Sequence, residues 1–137
     1  MRTLFRTALV AAAMALVGCT TTTEDLLVGS WRLDRATEVV ASTDGTDSFE
    51  MQGYDDYYIE FIEEGYCAVT DRGVQTVYEW YLIGDETLVL ARGDWAEDYA
   101  IDELTKQRLV YSDTYAHVDE STGAPIVYTY TFEYSKQ

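Results

Sequence analysis

The stretch that decides the fold is PIVYTYTFEY, residues 125–134, near the end of the chain. Every second side chain in this stretch is large and apolar or aromatic: Ile126, Tyr128, Tyr130, Phe132 and Tyr134. A period of two predicts a β-strand that turns one face toward a core. Tyrosine, valine, isoleucine and threonine also favour such half-buried, pleated surfaces.

Seven earlier stretches share this composition, and most share the alternation: residues 31–40, 57–62, 66–70, 74–83, 87–91, 99–104 and 108–116. Short turns join most of them, and short turns force sequential strands to run antiparallel. Closing eight such strands into a ring removes the unpaired edges of the sheet. We therefore expect an all-β fold, an eight-stranded antiparallel up-and-down β-barrel, with a two-sheet β-sandwich as the alternative.

Two longer connections between these stretches are predicted to be loops. Residues 41–48 are polar, and residues 92–97 are acidic. The first contains Asp44-Gly45-Thr46-Asp47, which is similar in composition to a calcium-binding loop but lacks the alternating ligands and terminal glutamate of an EF-hand. A solvated loop is the favoured interpretation, and no metal site is predicted.

Residues 1–18 have the layout of an export signal. Arg2 and Arg6 precede an apolar run over residues 8–17, and no acidic residue occurs among them. The run is about half of the roughly 20 residues that a transmembrane helix requires. The sequence therefore predicts a removable signal peptide rather than a permanent membrane span.

Leu16-Val17-Gly18-Cys19 resembles the lipobox of bacterial lipoproteins. The resemblance implies cleavage before Cys19 and attachment of acyl chains to that residue, and two or more chains anchor a protein stably in a membrane. Residues 19–26 would then be a lipidated cysteine with a short tether, and residues 27–137 one barrel domain. Because Thr20 is not the aspartate that favours inner-membrane retention in enterobacteria, we expect an outer-membrane location in the cell envelope.

The chain is strongly acidic, with 25 acidic and 9 basic residues and a net charge of −16. Loss of Arg2 and Arg6 with the signal would make it about −18. Such a charge repels phosphates, so it argues against nucleic-acid binding and against adhesion to anionic lipids through a basic surface. It is compatible with simple solubility or with attraction of a basic protein partner.

Few residues are suited to catalysis. His117 is the single histidine, and it lies in a polar segment where an exposed loop position is expected. A nucleophile triad needs a base beside its nucleophile, and a zinc site needs three or four histidine or cysteine ligands. With Cys19 committed to lipid, Cys67 is expected to be a buried apolar residue. The 25 acidic residues leave a paired-carboxylate site of the glycosidase type as an alternative, which would need two close acids, one of them with a raised pKa. We nevertheless predict no catalytic residues, no cofactor and no enzyme activity.

Tyrosine is the more informative residue type, with 12 copies in the chain. A tyrosine combines an apolar ring with a hydroxyl that seeks a partner, so an aromatic interior would suit an amphipathic ligand. Aromatic ladders that merely stabilise the sheet are the competing explanation. The candidate ligand-lining residues are Tyr78, Trp80, Tyr111, Asp113, Tyr115, Tyr128 and Tyr130.

Asp113 is unusual because it alternates in phase with Leu109, Tyr111 and Tyr115. If that face points inward, the carboxylate needs hydrogen-bond partners or must take up a proton. It would then be a polar anchor for a ligand. The alternative is a position at the mouth of the barrel or a bulge that switches the face.

Three spaced features together resemble the lipocalin-like domains of lipoproteins from Bacteroidetes-type bacteria. They are the Gly-x-Trp-x-Leu pattern at 29–33, the strand, acidic turn and strand at 61–66, and the paired hairpins at 80–90 and 101–110. The resemblance implies a barrel in which Trp31 plugs one end. Residues 125–134 hold no match for the arginine that packs over this tryptophan in many lipocalins.

The sequence thus predicts a binding module: a lipid-anchored, non-catalytic barrel that holds a small apolar or amphipathic ligand at the cell envelope. The alternative is an acidic structural or interaction module that engages a basic envelope protein. Such an association would weaken as salt rises.

Overall fold

The computed structural model describes residues 20–53 and 55–137, and these residues form a nearly all-β chain. The predicted signal peptide and Cys19 lie outside the described residues. The elements in chain order are α1 (Thr23–Leu27), β1 (Gly29–Ser42), β2 (Gly45–Gln52), β3 (Tyr57–Ile62), β4 (Tyr66–Asp71), β5 (Val74–Ile83), β6 (Thr87–Arg92), β7 (Trp95–Leu104), β8 (Arg108–Val118) and β9 (Pro125–Lys136).

The sheet closes on itself. From β3 to β9 every strand pairs antiparallel with the next one along the chain, and β1 pairs with both β3 and β9. These eight strands form the predicted up-and-down barrel, which is confirmed, whereas the two-sheet sandwich is not formed. β2 is an additional ninth strand beside β1.

The prediction of a loop over residues 41–48 is wrong. β1 continues to Ser42, and β2 begins at Gly45. β3 pairs with β1 only from Gly29 to Arg32. The same edge of β1 is therefore free beyond Arg32, and β2 pairs with it from Arg35 to Ser42. This strand is hard to see in the sequence because its side chains are exposed and only Phe49 and Met51 are large and apolar.

The acidic segment 92–97 is also largely strand rather than loop. β6 ends at Arg92 and β7 begins at Trp95, so Gly93 and Asp94 make a two-residue turn. Gly93 has a φ of 60°, in the left-handed region that glycine adopts without strain. Of the acidic residues that follow Trp95, Asp98 is exposed, whereas Glu97 is partly buried.

The apolar side chains of the strands pack densely at one end of the barrel, which we call the floor. Its buried members include Trp31, Leu33, Ile59, Phe61, Cys67, Trp80, Leu88, Leu90, Leu109, Tyr111 and Tyr134. Phe61 and Trp80 meet edge to face with ring centroids 5.4 Å apart. The prediction that Cys67 is a buried residue is confirmed, and burial raises the pKa of its thiol to about 12.

Helix α1 covers the floor end. Thr22 caps the helix through a reciprocal pair of hydrogen bonds with Asp25, and Leu27 is fully buried. The tether was expected to span residues 19–26. Its last residues, from Thr22 onward, are therefore part of the folded domain. Within the described part of the chain, no helix has the length and apolar character needed to cross a membrane.

Trp31, which the resemblance makes the plug of the barrel, lies in the floor. Its side chain is fully buried, and its indole nitrogen donates a hydrogen bond to the carbonyl of Leu27 at 2.7 Å. β9 extends beyond the predicted strand end to Lys136, whose ammonium lies 4.3 Å from the centroid of the Trp31 ring. A basic residue of the last strand, a lysine rather than an arginine, thus lies over the tryptophan, two positions after the predicted strand end at Tyr134.

A network of ion pairs on the outer surface joins three strands near the closure. Glu133 of β9 pairs with Arg35 of β1 and, at 2.6 Å, with Arg108 of β8. Both guanidinium groups hold the pKa of the Glu133 carboxyl below its usual value. The network lies beside the register shift between Leu33 and Arg35 of β1. It therefore stabilises the barrel at the point where the pairing of β1 with β9 is irregular.

Candidate functional site

The ring of hydrogen-bonded strands is complete only at the floor end of the barrel. β1 pairs with β3 as far as Arg32, and β7 pairs with β8 only over the floor half of the two strands. Beyond these points the strands form two walls. We call β2, β1, β9 and β8 the long wall and β3 to β7 the short wall, and the space between their inner faces the mouth.

The inner face of the long wall is built from side chains that lie directly opposite one another on adjacent strands, which places them on the same face. Three such rows cross the wall from β2 to β8. They are Met51, Ala36, Phe132 and Tyr111 nearest the floor; then Phe49, Glu38, Tyr130 and Asp113; then Asp47, Val40, Tyr128 and Tyr115.

Aromatic rings on the long wall contact one another but remain open to solvent. Tyr115 stacks on Tyr128 and Tyr130, with ring centroids 5.0 and 5.9 Å apart. The hydroxyls of Tyr115 and Tyr130 lie 3.3 Å apart. Tyr115 is nevertheless 45% exposed, and Phe49 on the same inner face is 60% exposed. These rings form a surface that nothing in the described chain covers.

A groove of about 290 Å³ lies across β2, β1 and β9 on this wall. Its lining is mostly apolar and includes Ala36, Phe49, Met51, Tyr130 and Phe132, together with the carboxylate of Glu38. Met51 is half exposed within it. The groove therefore offers an apolar trough with one acidic group.

The short wall contributes a second recess near the rim of the mouth. It has a volume of about 530 Å³, and its lining includes Tyr57, Val69, Thr76 and Tyr78. The Tyr78 ring contacts Trp95 with centroids 5.6 Å apart, and Trp95 is 43% exposed. Both walls thus present aromatic rings to the same space.

Two carboxyl groups meet where pairing between β7 and β8 stops. The side chains of Glu97 on β7 and Asp113 on β8 lie close to each other. This contact, partial burial and the charge of Asp113 raise the pKa of Glu97 above its usual value. Burial and the same two acids raise the pKa of Tyr99, which lies beside them.

Most residues predicted to line a ligand site do lie at the mouth. Tyr78, Tyr115, Tyr128 and Tyr130 are on its walls. Asp113 points to the inner face, as its phase with Tyr111 predicted, and it also lies at the open end. Asp113 is therefore at the mouth of the barrel and on its inner face, and its role as a polar anchor for a ligand stays a prediction.

Trp80 and Tyr111 are corrections to the predicted lining, because both belong to the packed floor. Trp80 is 5% exposed, and its indole nitrogen donates to the carbonyl of Ile62 at 3.0 Å. The hydroxyl of Tyr111 hydrogen-bonds to that of Tyr134 at 2.8 Å. Alternation predicts that a residue lies on the inner face but does not predict its height in the barrel. The sequence therefore could not distinguish Trp80 and Tyr111 from the residues of the mouth.

Sequence reasoning missed other residues of the mouth. Phe49 and Met51 lie on a strand that was not predicted, and Trp95 and Glu97 were assigned to a loop. The alternation of Trp95, Glu97, Tyr99 and Ile101 was the available signal. His117 is exposed near the end of β8. Among the residues described here, no group of three or more metal-binding side chains is clustered.

Comparisons with known proteins add little. No protein-family model matches the chain, and no curated protein matches it. Among solved structures it is similar to a lipocalin-like protein from Bacteroides uniformis, with 16% sequence identity and a TM-score of 0.38. The match covers 74% of this chain and 96% of that one. Similarity at this level carries no weight for function, which rests on the side chains described above.

Proposed function

We propose that this protein is a lipid-anchored protein of the cell envelope whose barrel mouth binds a small apolar or amphipathic molecule without chemical conversion. One observation carries the binding part of the proposal. Aromatic side chains on the concave inner face, Phe49, Trp95 and Tyr115, are 43 to 60% exposed although their alternation points them inward.

Exposure of these rings to water is unfavourable. Burial of apolar surface contributes roughly 25 cal/mol per Å², so a ligand that covers several rings gains several kcal/mol from this source alone. The floor beneath is densely packed, so the ligand would rest in the upper half of the barrel rather than fill it. An apolar, concave surface with a few polar groups is typical of a small-molecule site.

Helix α1, which follows the proposed anchor in the sequence, covers the end of the barrel opposite the mouth. α1 begins at Thr23, only a few residues after Cys19, and Leu27 packs into the floor beside Trp31. The hydroxyl of Thr23 also donates to Asp85 in the turn after β5, at 3.3 Å. An acylated Cys19 would therefore hold the floor near the lipid surface while the mouth opens away from it.

Binding of N-phenyl-1-naphthylamine, a neutral apolar fluorophore, tests the ligand site. We expect saturable enhancement of its fluorescence by the purified protein. Tyr115→Ala should weaken binding by about five- to tenfold, since a buried aromatic contact contributes about 1 kcal/mol. Tyr81→Ala is the matched control, because Tyr81 is 51% exposed on the outer face. Equal effects of the two changes, or no saturable binding, would contradict the proposal.

Metabolic labelling with radioactive palmitate tests the anchor. We expect the protein expressed in a bacterial host to incorporate label, and Cys19→Ser to abolish incorporation. Cys67→Ser serves as the control, because Cys67 is buried in the floor and should not be acylated. A wild-type protein without label, or label that depends on Cys67, would count against a lipid anchor at Cys19.

A further inference from the structure

We infer that the mouth selects amphipathic molecules whose polar end is a cation, an amine or a quaternary ammonium group, and whose apolar part lies in the groove along β2, β1 and β9. This inference rests on the proposed function and adds the charge of the ligand. It is carried by the way acidic and aromatic side chains share the inner face.

Aromatic and acidic side chains alternate along the middle row of the long wall. Phe49 lies opposite Glu38, Glu38 lies opposite Tyr130, and Tyr130 lies opposite Asp113. Across the interruption between β7 and β8, Glu97 continues the row by its contact with Asp113. This row therefore carries three carboxyl groups that face the mouth, each with an aromatic ring beside it.

These three acids have no basic partner among the described residues. Glu133, Glu103 and Asp34 are each paired with an arginine on the outer surface. Within residues 20–53 and 55–137, no ion pair involves Glu38, Glu97 or Asp113. Arg92 lies at the rim of the short wall, and within the described residues it forms no ion pair with any of the three.

Aromatic rings complete a surface that suits a cation. Tyr99 lies near Glu97 and Asp113. Trp95 on β7 and Tyr115 on β8 are the next inward-facing residues toward the rim of the mouth. A cation over a tyrosine or tryptophan ring is attracted by the electrons of its face. An ammonium group here would also relieve the repulsion between the two carboxylates, whereas a carboxylate or sulfate would increase it.

The apolar part of the ligand has a defined place. Ala36, Met51 and Phe132 form the row directly below Glu38 and Tyr130, and they line the groove of about 290 Å³. A chain lying in this groove would place its polar end beside the acidic row. Charge complementarity therefore distinguishes a cationic amphiphile from a fatty acid of the same length.

Three amphiphiles with the same decyl chain test the inference: decyltrimethylammonium, decyl maltoside and decyl sulfate, each titrated calorimetrically into the full protein below its critical micelle concentration. We expect the cation to bind about tenfold more tightly than the neutral compound, and the anion more weakly than either. Equal affinities would overturn the inference and leave the apolar site standing. No binding of any of the three would instead overturn the proposed function itself.

A charge-matched pair of variants separates a site from general attraction to an acidic protein. Glu97→Gln with Asp113→Asn should weaken binding of decyltrimethylammonium about tenfold and leave that of decyl maltoside unchanged. Glu63→Gln with Glu64→Gln removes the same charge from an exposed turn at the floor end and should change neither. If both pairs reduce cation binding equally, the mouth carboxylates are not the recognition site and the inference fails.

Discussion

Replacing Trp31 with alanine should lower the free energy of unfolding by about 3–5 kcal/mol, the range found for large aromatic residues removed from well-packed cores. The indole is fully buried, and its nitrogen donates to the carbonyl of Leu27. Its loss would leave a cavity between α1 and the floor, an unpaired carbonyl, and Lys136 without the ring it covers. Urea unfolding followed by far-ultraviolet circular dichroism measures the change.

Trp95→Ala is the control for this substitution. The same side chain is removed, but Trp95 is 43% exposed at the mouth and contacts Tyr78 rather than the floor. We expect a loss of at most about 1 kcal/mol. If the two variants unfold at the same urea concentration, Trp31 does not act as the plug of the barrel.

Replacing Gly53 with alanine is expected to have the second largest effect, a loss of about 2–3 kcal/mol from overpacking. Gly53 follows β2, and its N–H donates to the carbonyl of Asp34 at 2.7 Å. A Cβ atom there would lie 1.7 Å from the carbonyl oxygen of Leu33. The carbonyl oxygen is part of the backbone, and the added Cβ is bonded directly to it. Neither atom can rotate away from the other, so β2 must move away from β1.

This displacement should also affect binding, because Phe49 and Met51 reach the mouth only through the pairing of β2 with β1. Gly53→Ala should therefore weaken binding of the naphthylamine probe as well as reduce stability in thermal unfolding. Gly73→Ala provides the comparison. Gly73 has a φ of 80° but nothing within 4 Å of an added Cβ, so only a backbone cost of about 1–2 kcal/mol is expected. A smaller loss for Gly53→Ala than for Gly73→Ala would refute the close-contact explanation.

Much of the fold was predictable because each of the eight strands carries its own signal. Pro125 to Tyr134 alternates without a break, and most of the turns between strands are short. The strand that was missed, β2, lacks this signal because both of its faces are exposed. Its existence depends on an edge of β1 left free by β3, which is a property of the assembled sheet.

The candidate site was predictable only in part, for a related reason. Tyr115, Tyr128 and Tyr130 were identified because a period of two assigns a face. Trp80 and Tyr111 have the same period but lie in the floor, since height along the barrel depends on where strands pair and where they separate. The contact between Glu97 and Asp113 joins strands whose pairing stops nearby, so no local pattern indicates it.

The all-β architecture, the inward face of most strands and the acidic character of the chain follow from local patterns, because alternation and charge are properties of single segments. Tertiary structure alone decided that one end is packed and the other open, that Lys136 covers Trp31, and that unpaired carboxyls lie among exposed rings. Each of these depends on the register between strands distant in sequence, which is set by the closure of the whole sheet rather than by any one strand.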